Sequence, residues 1–94
     1  MNTIYSDDER KTILDSFMRE LYFKDKDAIM NNTTNIFTIK EIWQAALYSY
    51  DYSNIENEIK ELSNKQESDI EFMGKIEEGR IRLTERGRNK FIGL

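Results

Sequence analysis

The chain has no cysteine, no proline and no histidine, and only four glycines in 94 residues. Without cysteine there can be no disulfide, no thiol nucleophile and no thiolate metal ligand. Without histidine the commonest general base and transition-metal ligand are missing. The few glycines form neither a phosphate loop nor a dinucleotide fingerprint. An enzyme is therefore not expected, nor a cofactor or a bound metal. Asp25 and Asp27 have the spacing of calcium-loop ligands, but the glycine and closing glutamate of such a loop are absent and Ile36 stands at its last position. No apolar run approaches the roughly 18 residues of a membrane span. Residues 1–8 have neither the cationic nor the apolar region of a signal peptide. A cytoplasmic protein is the expectation.

Charged residues make up 34% of the chain and hydrophobic residues 38%, which suits one globular domain over residues 1–94 with a single core. There are 18 acids against 14 bases, a net charge of −4. The balance shifts along the chain. Residues 38–70 carry seven acids and three bases, while residues 71–94 carry four acids and six bases, and from Gly79 onward only Glu85 opposes five cations. A net-acidic chain is poor non-specific glue for nucleic acid, so any phosphate contact should come from that last region.

Three stretches carry helix-start signals of the type Ser/Thr-x-x-Glu, namely Ser6–Glu9, Thr38–Glu41 and Ser53–Glu56. Behind the first, Ile13, Leu14, Phe17, Met18, Leu21 and Tyr22 recur at helical spacing and predict a helix from about residue 7 to about 23. Residues 24–35 are polar and read as a loop, after which Ile36-Phe37 can add a very short strand. Behind the second signal, Ile39, Ile42, Trp43, Ala46, Leu47 and Tyr50 share one side of a helix from about 39 to about 49. Behind the third, Ile55, Ile59 and Leu62 mark the inner side of a helix from about 54 to about 65. The short connection around Asp51-Tyr52-Ser53 makes these two helices cross steeply, as a helix-turn-helix.

The last third predicts a β-hairpin. Ile70, Phe72 and Ile76 share one parity, and Ile81 and Leu83 alternate with Arg80 and Arg82 after a loop containing Gly79. Thr84 then stands where the N-cap of a further helix belongs. On this pattern Arg80 and Arg82 face outward, with Lys75 on the outward parity of the first strand. They can gather on phosphate, or pair across the hairpin with Glu71 and Glu77. Arg86, Arg88 and Lys90 either extend this patch or lie on the far side.

The order helix, short strand, helix, turn, helix, hairpin, helix start resembles the winged helix-turn-helix superfamily over nearly the whole chain. Ile81-Arg82-Leu83-Thr84-Glu85-Arg86-Gly87 is similar to the strand-to-helix junction after the wing in small bacterial and archaeal transcription regulators. Ile39 to Ile42 resembles the start of the supporting helix. One departure is the polar stretch Ser63 to Asp69, which delays the first wing strand. The resemblance implies an α+β winged helix with three helices plus a C-terminal β-hairpin wing. It also implies binding of double-stranded DNA as a transcriptional regulator and homodimer, with the third helix in the major groove and the wing on phosphate.

About 100° per residue from Ile55, the face opposite the buried one holds Asn57, Lys60 and Asn64, with Asn54 and Glu61 beside them. Asn can pair bidentately with adenine, and Lys reaches guanine or phosphate. Ser53 and Asn54, at the helix start, can donate to phosphate. The expected DNA-binding residues are thus Ser53, Asn54, Asn57, Lys60, Asn64, Lys75, Arg80 and Arg82. A competing expectation is a winged-helix module that binds another protein and no nucleic acid, favoured by the acidity and by Glu56, Glu58 and Glu61. Cations neutralised by acids would favour it; one positive strip joining the helix to the wing would favour DNA. A homodimer has candidate surfaces on helix one, on the hairpin with its neighbouring strand, and at Phe91, Ile92 and Leu94.

Overall fold

The computed structural model describes residues 5–64 and 68–92. Among them are four α-helices and a three-stranded antiparallel sheet. These are α1 (Asp7–Met30), β1 (Phe37–Thr38), α2 (Ile39–Ala46), α3 (Tyr52–Ser63), β2 (Ile70–Phe72), β3 (Arg80–Leu83) and α4 (Glu85–Ile92), with one 3-10 turn at Ile76–Glu78. The fold is α+β, with one helix more than the three expected.

Helix α1 starts as expected, with the Ser6 hydroxyl accepting the Glu9 N–H at 3.2 Å. It runs seven residues past the expected end. The polar stretch from Lys24 contains no glycine or proline to stop it, and Asp25 and Ala28 continue the inner face of Leu21. It ends in a Schellman motif. Asn32 takes the left-handed conformation at φ 56, while the Thr33 N–H donates to the Ala28 carbonyl at 2.9 Å and the Asn32 N–H to the Ile29 carbonyl at 3.3 Å. Asp25 and Asp27 are therefore helical residues rather than loop residues.

Helix α2 opens with a complete capping box, Thr38 and Glu41 each bonding the other's backbone N–H. It stops three residues before the expected end. Leu47 turns into the core, and the indole N–H of Trp43 donates to the Tyr50 carbonyl at 2.8 Å, which holds Tyr50 in the turn rather than on the helix. Helix α3 begins two residues early, because Tyr52 packs edge-on against Trp43 with centroids 5.3 Å apart and draws the start back. Asp51 occupies the N-cap position without a side-chain bond, so the Ser53–Glu56 capping box does not form.

Strand β3 is the centre of the sheet, in the order β1-β3-β2. Phe37 pairs with Ile81, and Ile70, Glu71 and Phe72 pair with Leu83, Arg82 and Ile81. The first hairpin strand is shorter than the alternation suggested. Beyond Phe72 the chain leaves the ladder for the 3-10 turn, closed by Gly79 at φ 65, a conformation that costs a side-chain-bearing residue energy. Ile76 therefore stands about half exposed at 49%, rather than sharing the inner face with Ile70 and Phe72. The core joins Ile13, Phe17 and Leu21 of α1 to Ile39 and Ile42 of α2, Ile55 and Ile59 of α3, and Ile70, Ile81 and Leu83 of the sheet.

Helix α4 is fastened from three directions. The Thr84 hydroxyl accepts the Gly87 N–H at 3.1 Å and donates to the Ser68 carbonyl at 2.9 Å. Gly87 lies hard against the Asp69 carbonyl, and a Cβ there would sit 2.8 Å from a Leu83 methyl. Arg88 reaches back to α1, where its guanidinium donates to both oxygens of Asp25 at 2.8 and 3.0 Å. Asp25 is 1% exposed and also accepts a bond from Asn35 at 3.2 Å. No helix among the described residues is long and apolar enough to cross a membrane.

Candidate nucleic-acid interface

The expected interface rests on the outer face of α3. Ser53, Asn57, Glu61 and Asn64 are exposed at a spacing of three to four residues, and Lys60 is half-buried beside them. They form one stripe along the helix, with Ser53 and Asn64 about 16 Å apart along the axis. Asn64 is the C-cap residue of α3. It lines a shallow groove shared with Glu71, Phe72 and Ile76 of the hairpin, so the end of the helix and the hairpin meet at one surface.

Asn54 does not belong to that stripe. It is 8% exposed, and its amide donates to the Tyr5 hydroxyl at 3.3 Å. The segment ahead of α1 lies over the first turn of α3, and Tyr5 packs edge-on against Tyr50 with centroids 5.8 Å apart. Asn54 is thus a structural residue joining the two segments. Ser53 lies inside the first turn rather than at the cap, so its hydroxyl is free to face solvent.

Of the acids of α3, Glu58 is turned away from the stripe, whereas Glu61 stays exposed on it. Arg10 of α1 forks onto Glu58, with nitrogen–oxygen distances of 3.0 and 3.1 Å, and touches Glu61 at 3.3 Å. The Glu58 carboxylate raises the guanidinium's already high pKa, through the hydrogen bond first and charge attraction second. Glu56 pairs with Lys60 at 3.4 Å, one helical turn apart. Nothing in the periodic pattern marks Arg10 as the partner of Glu58, because the pairing needs α1 and α3 to be packed first.

The hairpin cations are all present but not all unpaired. Lys75 is exposed, just ahead of the 3-10 turn. Arg82 pairs with Glu71 directly across the β2–β3 ladder, as the sequence allowed. Arg80 pairs with Glu78 of the turn rather than with Glu77. Arg86 and Lys90 approach Asp69 at 3.5 and 3.1 Å, and Arg88 is committed to Asp25, so these three are engaged with acids outside the β2–β3 hairpin. Among the described residues no cluster of acidic side chains converges closely enough to hold a metal ion. The side chains of Phe91 and Ile92, and Leu94, lie outside the described residues.

Comparison with family profiles, curated proteins and solved structures finds no match to this chain. A reading of function therefore stands on the site itself.

Proposed function

We propose that the chain is a winged-helix DNA-binding protein acting in transcriptional regulation, with α3 in the major groove and the β2–β3 hairpin as the wing. The observation that carries the reading is the outer stripe of α3. Its outer groups are the Ser53 hydroxyl, the Asn57 and Asn64 amides, the Lys60 amine paired with Glu56, and one exposed carboxylate, Glu61, while Glu58 is drawn aside to Arg10. Amide and amine groups on a helix that ends at a hairpin carrying Lys75, Arg80 and Arg82, against Glu71, Glu77 and Glu78, are donors that base edges and phosphates accept. The order of elements supports the reading, since a short strand ahead of α2 pairs with β3 and the β2–β3 hairpin packs beside α3.

The pairing of Arg80 and Arg82 with Glu78 and Glu71 favours the second reading, a winged-helix module for a protein partner. The magnitudes keep DNA first. Both arginines are 40% exposed or more, and both acids are 43% exposed. Such pairs contribute roughly 0–1 kcal/mol. A phosphate can therefore take each arginine at small cost while its acid turns into solvent. Selection of an operator by a purified library of duplexes tests the proposal. Asn57→Ala should change the preferred sequence, while Arg82→Ala should weaken all sequences alike and lower the salt slope by about 0.9. Two variants indistinguishable from the wild type would remove the DNA reading and leave the protein module.

A further inference from the structure

Helix α1 carries large apolar side chains on the face turned away from the core. Phe23 is 57% exposed and Met30 73%. At about 100° per residue, Asp15, Arg19, Lys26 and Met30 lie within about 60° of one another, with Phe23 at the edge. This stripe stands opposite Phe17, Leu21 and Ala28. Its charges are sorted along the axis, with Asp8 and Asp15 toward the N-terminal end and Arg19 and Lys26 toward the C-terminal end.

Those charges have no partners. Among the described residues Asp15, Arg19 and Lys26 make no ion pair, as is also true of Lys11, Lys24, Lys40 and Lys75, whereas Arg10, Lys60, Arg80, Arg82, Arg88 and Lys90 are paired within the chain. Beside the stripe runs a shallow groove between α1 and Ala46 of α2, walled by Arg19 and Phe23.

We propose that this stripe is the contact between two copies of the chain, with the two α1 helices packed antiparallel about a two-fold axis near residues 20 and 21. A helix whose acidic half precedes its basic half is complementary to its own copy only when the copy runs the other way. In this register Asp15 faces the partner's Lys26, and by symmetry Lys26 faces the partner's Asp15. Arg19 comes over the ring of the partner's Phe23, a cation–π geometry. Met30 reaches the partner's Thr12. Each helix is about 36 Å long, and residues 11–30 overlap, so Phe23 and Met30 are covered, while the third exposed apolar side chain of α1, Ile29 at 53%, lies on the flank of the stripe. The contact leaves α3 and the hairpin free and does not depend on DNA binding.

Sedimentation equilibrium of the full chain tests it. The wild type should be a dimer at micromolar concentration. Asp15→Lys alone should weaken association at least tenfold, by placing two cations together, and so should Lys26→Asp, by placing two acids together. An equimolar mixture of the two variants should form a heterodimer, because each faces the opposite charge in the other. Circular dichroism of each variant, unchanged from the wild type, excludes misfolding as the cause of weakening. A wild type that stays monomeric at 100-fold higher concentration would overturn the proposal. So would a mixture no more associated than its components.

Discussion

Removing one end of the Asp25–Arg88 pair should have a cost that depends on which end is removed. Asp25 is 1% exposed and the Arg88 side chain 29%. Arg88→Met leaves a carboxylate sealed in the protein with Asn35 as its remaining side-chain donor. Stranding a buried charge in this way costs about 3–5 kcal/mol. Asp25→Asn keeps the size of the side chain and leaves a guanidinium that already reaches water. It loses charge-assisted hydrogen bonds worth about 1.5–3 kcal/mol. Arg88→Met should therefore be the more damaging change by about 2 kcal/mol. For a domain of this size each kcal/mol moves the melting temperature by about 4–8 °C. Urea denaturation at neutral pH, with the slope unchanged between variants, gives the two values. The double variant Asp25→Leu with Arg88→Met replaces the pair with apolar groups and should recover more than half of the Arg88→Met loss. Equal losses from the two single changes, or a larger loss from Asp25→Asn, would show that the Asp25 carboxylate is not sealed from water.

Three further outcomes follow from the same contacts. Gly87→Ala forces a methyl against the Asp69 carbonyl and a Leu83 methyl, and thermal denaturation should show a loss of about 1–3 kcal/mol. Thr84→Ala removes both the cap on α4 and the bond to Ser68, a loss of about 1–2 kcal/mol that Thr84→Ser should largely restore. Burial, and then the nearby Glu56, raises the Tyr52 phenol above its ordinary pKa of about 10. In an alkaline titration followed by tyrosinate absorbance, Tyr52→Phe should remove a component that ionises above the ordinary phenol range. The sign for stability is set by the unfolded phenol ionising first. Tyr52's contribution is full below about pH 10 and is lost as pH rises through the folded value.

The elements easiest to read were those fixed by neighbours in sequence. Ser6 and Thr38 cap the helices they precede, Thr84 caps α4, and the alternation of Ile81 and Leu83 marks β3. The third start signal misled because Tyr52 gains more by packing on Trp43 than Ser53 gains by capping. The end of α1 was misread for a related reason. Lys24 to Asp27 look like a loop in composition, yet Asp25 is held inside by a residue 63 positions later. Asn54 differs in kind. Its type suits a DNA contact, and only the segment containing Tyr5, folded over α3, shows it to be interior. The same holds for Arg10 and Glu58, which change how acidic the outer face of α3 is without leaving any local trace.

Binding of a polyanion to the face built by α3 and the hairpin is the property from which the proposed function follows. Fluorescence anisotropy of the full chain against a random-sequence, AT-rich duplex should show binding at low salt. If Lys75, Arg80 and Arg82 each displace one counterion, affinity should fall about 40-fold between 50 and 200 mM salt. Absence of binding at 20 mM salt, or binding insensitive to salt, would contradict the DNA reading and leave a protein as the partner for this face.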